Sequence, residues 1–181
     1  NQEPKGTIDI NLLNNSLNHI NIYFKEVKNE QQTFLNNKNV TKAIREPKVL
    51  KYVSIVAAQK AVRSFLIRKQ QFLGKEKGVV MDGRDIGTVV FPLASCKFFL
   101  TAAAEVRAKR RYLEQQKNGI KETFEDVLIN INERDNQDKS RTISPLQKAK
   151  DAIEIDVSTL NIDEVFNILY RQVLEKFKSK M

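Results

Sequence analysis

Apolar and polar positions recur with two different periods along this chain, and the change of period divides it. Ile20, Ile22 and Phe24 alternate with polar residues, then Val27 precedes a polar turn at Lys28-Asn29-Glu30. A period of two predicts short, half-exposed strands through about residue 34. From about residue 47 to residue 73 the spacing becomes helical, on Val49, Leu50, Val53 and Val56 and then Val62, Phe65 and Leu66. Apolar runs at 78–81 and 97–100, and Ala152-Ile153-Glu154-Ile155-Asp156, read as strands. Between them lie a charged helix over 105–117, stopped by Asn118-Gly119, and a second helix from residue 123 to about 138. Asn161-Ile162-Asp163-Glu164 is a capping box opening a last amphipathic helix on Ile162, Val165, Phe166, Leu169 and Val173. The latter two thirds thus run strand, helix, helix, strand, helix, an α/β order that favours a parallel sheet flanked by helices. The first third has the texture of a small β-plus-helix insert.

Composition narrows the class. The 181 residues suffice for one sizeable core, and 41% hydrophobic with 29% charged residues describes a soluble globular protein. No apolar run approaches bilayer-spanning length. The first residues lack a basic-then-apolar pattern, and Cys96 is the only cysteine, so a cytoplasmic protein without disulfides is expected. A formal charge of +9 attracts polyanions, whether nucleic acid, anionic lipid or nucleotide phosphate.

Candidate chemistry gathers at three places. In Gly78-Val79-Val80-Met81-Asp82-Gly83-Arg84-Asp85-Ile86-Gly87-Thr88-Val89-Val90-Phe91, a strand-like run breaks into a loop of two acids and an arginine between glycines. Such a loop at a sheet rim suits a ligand, although a polar turn between two strands has the same look. In the helix from residue 123, the apolar stripe Phe124, Leu128, Ile131 continues into Arg134 and Asp135, then Asp138 and Arg141, with Arg134, Asp138 and Arg141 at i, i+4 and i+7. A core-facing stripe that turns charged has left the core for a cleft, and two arginines flanking an aspartate suit an anion with hydroxyl groups. A solvated ion pair at a fraying helix end fits the same residues. Arg107, Arg110 and Arg111 share one helix face, as either a salt-bridged surface or an arm carrying positive charge to a triphosphate. His19 is the lone histidine and reads as structural, which leaves no nucleophile pair and no zinc cluster. Tyr23, Phe24 and Phe34 serve either a base-stacking sheet or the core of the insert.

Asp82-Gly83-Arg84-Asp85, Ile86-Gly87-Thr88-Val89-Val90-Phe91-Pro92, Arg107-Ala108-Lys109-Arg110-Arg111, Glu133-Arg134-Asp135 and Arg141 with Ser144-Pro145-Leu146 occur in that order. The series, with Ser54 and Val62-Arg63-Ser64-Phe65-Leu66 upstream, closely resembles bacterial cytidylate kinase over nearly the whole chain. The resemblance implies a P-loop kinase-type sheet flanked by helices, with a small nucleotide-monophosphate-binding insert. Residues 1–75 would be the insert and following helices, and residues 76–181 the remainder of the kinase core, with a lid over about 105–142. It implies transfer of the terminal phosphoryl of ATP to CMP or dCMP with Mg2+, in a protein that is a monomer when complete and has no nucleic-acid or membrane partner. Ser54, Arg63 and Asp85 would read cytosine, Arg84 and Arg141 would hold the monophosphate, and Arg134 and Asp138 would contact the ribose. Arg84, Arg134 and Arg141 would be the catalytic cations, with Arg107, Arg110 and Arg111 the lid cations over ATP and no protein metal ligand. The family's first strand and Gly-Lys-Ser/Thr phosphate loop have no counterpart among these residues, so the chain is expected to be the acceptor, lid and C-terminal part of the kinase. Alone it is expected to bind CMP without phosphoryl transfer; a basic RNA-binding domain is the reading from a different class.

Overall fold

The alternation around Ile22 folds into a three-stranded antiparallel meander, β1 (Ile22–Val27), β2 (Glu30–Leu35) and β3 (Lys38–Asn39). Both hairpin turns put two successive residues in the left-handed region, Lys28 and Asn29 in one and Asn36 and Asn37 in the other. Paired left-handed residues match the right-handed strand twist, and asparagine adopts that conformation at low cost. The register sets Tyr23 opposite Phe34, and their rings stack 5.2 Å apart with Lys25 Nζ over both. The computed structural model describes residues 8–75 and 78–178; the side chains of Pro47, Lys48, Leu50, Lys51 and Ser54 lie outside what it describes. The chain divides into two compact units, residues 1–79 and residues 80–181.

In the first unit the meander is preceded by α1 (Ile10–Leu17), a helix the apolar spacing did not announce. It opens on Asp9, whose carboxylate accepts the Leu12 backbone N–H at 2.9 Å. The helical stretch from residue 47 is two helices, α2 (Pro47–Ala57) and α3 (Lys60–Leu73), parted where Gln59 turns extended. Val62 on α3 is buried.

The second unit is built on one parallel pair, β4 (Phe98–Thr101) and β5 (Ile153–Asp156), in the register Phe98↔Ile153 to Thr101↔Asp156. Its crossover is a hairpin of two helices, α4 (Ala104–Lys117) and α5 (Phe124–Ser140), whose interface buries Ala108 and Val127 completely or nearly so. Tyr112 of α4 meets Phe124 of α5 edge-on. The closing helix α6 (Ile162–Lys178) turns Val165, Leu169 and Val173 inward, whereas Ile162 and Phe166 are exposed, Phe166 stacking on Tyr170.

One expectation needs correction. Residues 78–81 form no strand among the described residues, and Val80 is fully exposed. A strand is held by its ladder, and no described segment pairs with this one. Ile86–Val90, β-branched in composition, is a π-helical turn in which Val90 N–H reaches Asp85 O at 3.2 Å and Phe91 N–H reaches Ile86 O at 2.7 Å. The side chain of Lys97, almost wholly buried, fastens that turn to the sheet: its ammonium donates to the Pro92 carbonyl and to Asp151 Oδ1.

The capping box of α6 is made in full. Glu164 N–H donates to Asn161 Oδ1 at 3.0 Å, and Asn161 N–H donates to Glu164 Oε2 at 2.7 Å. Asn161→Ala is expected to cost about 1 kcal/mol of stability, whereas Asn161→Ser costs a few tenths; equal urea midpoints for the two variants would refute this account of the helix start.

Candidate functional site

The apolar stripe of α5 ends as its periodicity dictates. Beyond Ile131 the same face carries Arg134 and Asp138, one turn apart, and the helix stops at Ser140. Arg141 leaves it with extended ψ, and Ser144, in the left-handed region, doubles the chain back so that Arg141 Nε donates to Ser144 O at 2.7 Å. Leu146 N–H then caps the Asp138 carbonyl at 2.7 Å. This reversal returns the Arg141 guanidinium to the helix it has just left, 3.4 Å from Asp138 Oδ1.

Arg84 arrives from the loop before the π-helical turn. That loop needs Gly83, because a Cβ there would stand 2.9 Å from Ile86 Cγ1. Asp85 is buried at the head of the turn, with its backbone carbonyl taken by Val89 and Val90. Arg84 Nε donates to Asp138 Oδ2 at 2.8 Å, and Arg134 Nε stands 4.0 Å from the same oxygen. Three guanidiniums therefore surround one carboxylate, for a local charge of +2. The side chains of Asp138 and Arg141 are 14% and 16% exposed, those of Arg84 and Arg134 42% and 50%. The inner pair is a shielded base, and the outer pair presents donors to solvent.

The three arginines of α4 have different surroundings. Arg107 binds Asp135 of α5 through both terminal nitrogens, at 3.0 and 2.7 Å, and its Nε donates to Ala102 O. Arg110 gathers the carbonyls of Val157, Ser158 and Leu160 just beyond β5. Arg111 is exposed and has no hydrogen-bond or ion-pair partner among the described residues. Ser54 and Arg63 belong to the first unit, on α2 and α3, where Arg63 is half-buried.

The loop that Arg110 grips is itself organised by Asp156, the last residue of β5. Its Oδ1 accepts the Ser158 hydroxyl at 2.6 Å and the Ser158 N–H at 2.8 Å, while Ser158 Oγ accepts the N–H of Ala103. The Ser158 hydroxyl, and then its backbone N–H, hold the Asp156 carboxyl below its ordinary value. Asp151 is lowered as well, first by its bond from Lys97. Asp135 continues the same stripe, four residues after Ile131, but stands outside the sequence-derived set of site residues. Its pairing with Arg107 had no signal beyond an acid on one helix and an arginine on another.

Among the described residues no cluster of His, Cys, Asp and Glu is placed to hold a metal ion, and no helix is long and apolar enough to cross a membrane. The arginine cluster sits on the helical crossover of a parallel strand pair, in an α/β protein. A family model described as cytidylate kinase matches residues 2–175. The cytidylate kinase of Flavobacterium psychrophilum is 54% identical over 138 residues, covering 76% of this chain and 61% of that protein. That of Bacillus cytotoxicus is 47% identical over 149 residues, 82% and 66% of the two chains, and that of Bacillus subtilis 43% over 175 residues, 97% and 78%. The chain belongs to the cytidylate kinase family. Its parallel pair with flanking helices fits the P-loop kinase fold, and the chain spans about three fifths to two thirds of the length of the first relatives it matches.

The Asp156–Ser158 bonds generate a titration test. A carboxyl lowered in the folded state stabilises it above the ordinary carboxylate range, and that contribution is lost as pH falls through the lowered value. Ser158→Ala is expected to move the Asp156 carboxyl back up, as read by carbon NMR of the side chain. An unmoved titration curve would show that the hydroxyl is not the main cause.

Proposed function

We propose that the whole protein is a nucleoside monophosphate kinase, moving the terminal phosphoryl of ATP to CMP or dCMP to give ADP and CDP or dCDP. The observation that carries this reading is the convergence of Arg84, Arg134 and Arg141 on Asp138. A cluster of charge +2 is neutralised by one phosphate monoester dianion, and planar guanidiniums bind phosphate oxygens in pairs. Arg84 and Arg141 take the acceptor phosphate, while Arg134 and Asp138 turn to the ribose hydroxyls. Asp85 accepts from the cytosine amino group, Arg63 donates to the ring nitrogen and carbonyl, and Ser54 completes the base contact. Uracil would oppose the Asp85 carboxylate with a carbonyl, acceptor against acceptor.

The step asks little of proton chemistry. An oxygen of the CMP phosphate is already anionic at neutral pH and attacks the terminal phosphorus of ATP. The bond to the bridging oxygen breaks, and ADP leaves with its electron pair. Arginines offset the repulsion between the two phosphate groups and the charge on the transferring one. On α4, the lid, exposed Arg111 is the cation available to the triphosphate, whereas Arg107 and Arg110 have internal partners. ATP in this family carries Mg2+. The described residues supply neither a ligand cluster for it nor a Gly-Lys-Ser/Thr loop. We infer a cytoplasmic monomer acting on free nucleotides.

Calorimetry on this chain tests the acceptor site. Arg141→Ala is expected to weaken CMP roughly tenfold to a hundredfold, the value of hydrogen bonds to a charged group, and to leave cytidine unaffected. An equal loss for both ligands would remove Arg141 from the phosphate. Asp85→Asn is expected to shrink the preference for CMP over UMP, and a preference unchanged in that variant would sink the base-reading role.

A further inference from the structure

The last turns of α5 are held in an unusual way. From residue 132 to residue 140 every side chain is exposed except two, and those two are Asp135 and Asp138. Apolar packing ends at Ile131, so the side chains that anchor the part of the helix carrying the arginine cluster are carboxylates, beside the backbone bond from Leu146 N–H to the Asp138 carbonyl. Asp138 belongs to the cluster. Asp135 stands one residue beyond Arg134, which turns it about 100° around the helix, toward α4. There Arg107 grips it with two parallel bonds, while Arg107 Nε is fixed by the carbonyl of Ala102, the residue after β4. One guanidinium thereby joins the end of β4, the first turn of α4 and the last turns of α5.

The opposite end of the hairpin has ties of its own. Glu122 accepts from Gln115 at 2.7 Å and from Asn130 at 2.9 Å, and Tyr112 meets Phe124. Loss of the Arg107 clamp would therefore leave α4 against α5 near residue 122 and release α5 where Arg134 and Asp138 sit. A bidentate pair also fixes rotation, which a single hydrogen bond does not.

We propose that Asp135, clamped by Arg107, is a positioning residue for the acceptor-phosphate cluster. It sets the rotation of the last turns of α5 and so aims Arg134 and Asp138 at Arg84 and Arg141. Arg107 then acts through Asp135 on the monophosphate side of the reaction, and the triphosphate is left to Arg111. The inference rests on the acceptor-site reading given above.

The test uses the full chain and two readouts. The first is the NMR signal of the Arg84 Nε–H, which Asp138 holds at 2.8 Å in the free protein and which needs no nucleotide. The second is CMP affinity by calorimetry, with cytidine as control. Asp135→Asn is expected to shift or broaden the Arg84 signal and to weaken CMP roughly tenfold, with cytidine unchanged. The swap Arg107→Asp with Asp135→Arg, which restores the pair in reverse, is expected to recover the signal and most of the affinity. A folded Asp135→Asn protein with the Arg84 signal and CMP affinity of the parent would overturn the proposal. Should that variant fail to fold, the swap decides: recovery supports the clamp, and a folded swap with a displaced Arg84 signal overturns it. A parent chain that does not bind CMP at all would defeat the acceptor-site reading, while the Arg84 signal would still report on the clamp.

Discussion

Three guanidiniums from separate points of the chain do not gather unaided. Two unit charges about 4 Å apart repel by about 1 kcal/mol in water, and by about 4 kcal/mol where the effective dielectric falls to 20. The carboxylate of Asp138 reverses that balance, and much of the second unit is arranged around it. The loop after α5 doubles back through left-handed Ser144 to deliver Arg141, and Leu146 closes the reversal on the Asp138 carbonyl. The loop before the π-helical turn, free of a Cβ at Gly83, delivers Arg84. Removing Asp138 would take away the common partner of Arg84, Arg134 and Arg141 together, so its loss should cost more than any one ion pair suggests.

That hub would be useless on a mobile platform. The α4–α5 hairpin supplies the rigidity through its packed interior at Ala108 and Val127, and the strand pair supplies a fixed base for its two ends. Where strand becomes helix, Ser158 caps Ala103 and Arg110 collects three carbonyls beyond β5. Such polar stitching matters in a unit whose fully buried apolar side chains are few, because each satisfied backbone group there avoids a desolvation cost. Two arginines of α4 are therefore occupied in holding the fold, and the third remains in solvent.

What was legible in the residues follows from range. The helices α4, α5 and α6 and the Asn161–Glu164 box are set by neighbours three and four positions apart, so their spacing predicts them closely. The face shared by Arg134 and Asp138 follows from the same period. Strand formation at 78–81 was not legible, because a strand is decided by a distant partner that a local pattern does not contain. The π-helical turn at 86–90 was hidden by its β-branched residues, and the break at Gln59 by the absence of glycine or proline. Asp135 lies on the same stripe, four residues after Ile131, yet its partner Arg107 sits on another helix, and a local pattern does not contain that pairing. The charge patterning of α4 showed three arginines on one face, yet only tertiary structure divides them into two that are tied and one that is not.

The division of exposure within the cluster bears on how an anion would enter. Asp138 and Arg141 are shielded, whereas Arg84 and Arg134 reach solvent. A phosphate would therefore approach the outer pair first and share guanidinium donors with the carboxylate rather than expel it. Arginine suits this arrangement because its planar fork offers several N–H groups, so one edge can stay on Asp138 while another turns to the ligand. A lysine in the same place has a single point charge and would have to choose. The free protein thus keeps its cations assembled around an internal anion, and binding exchanges some of their bonds without rebuilding the site. Preorganisation of that kind lowers the cost of gathering the cations, because they already converge on one carboxylate before any ligand arrives.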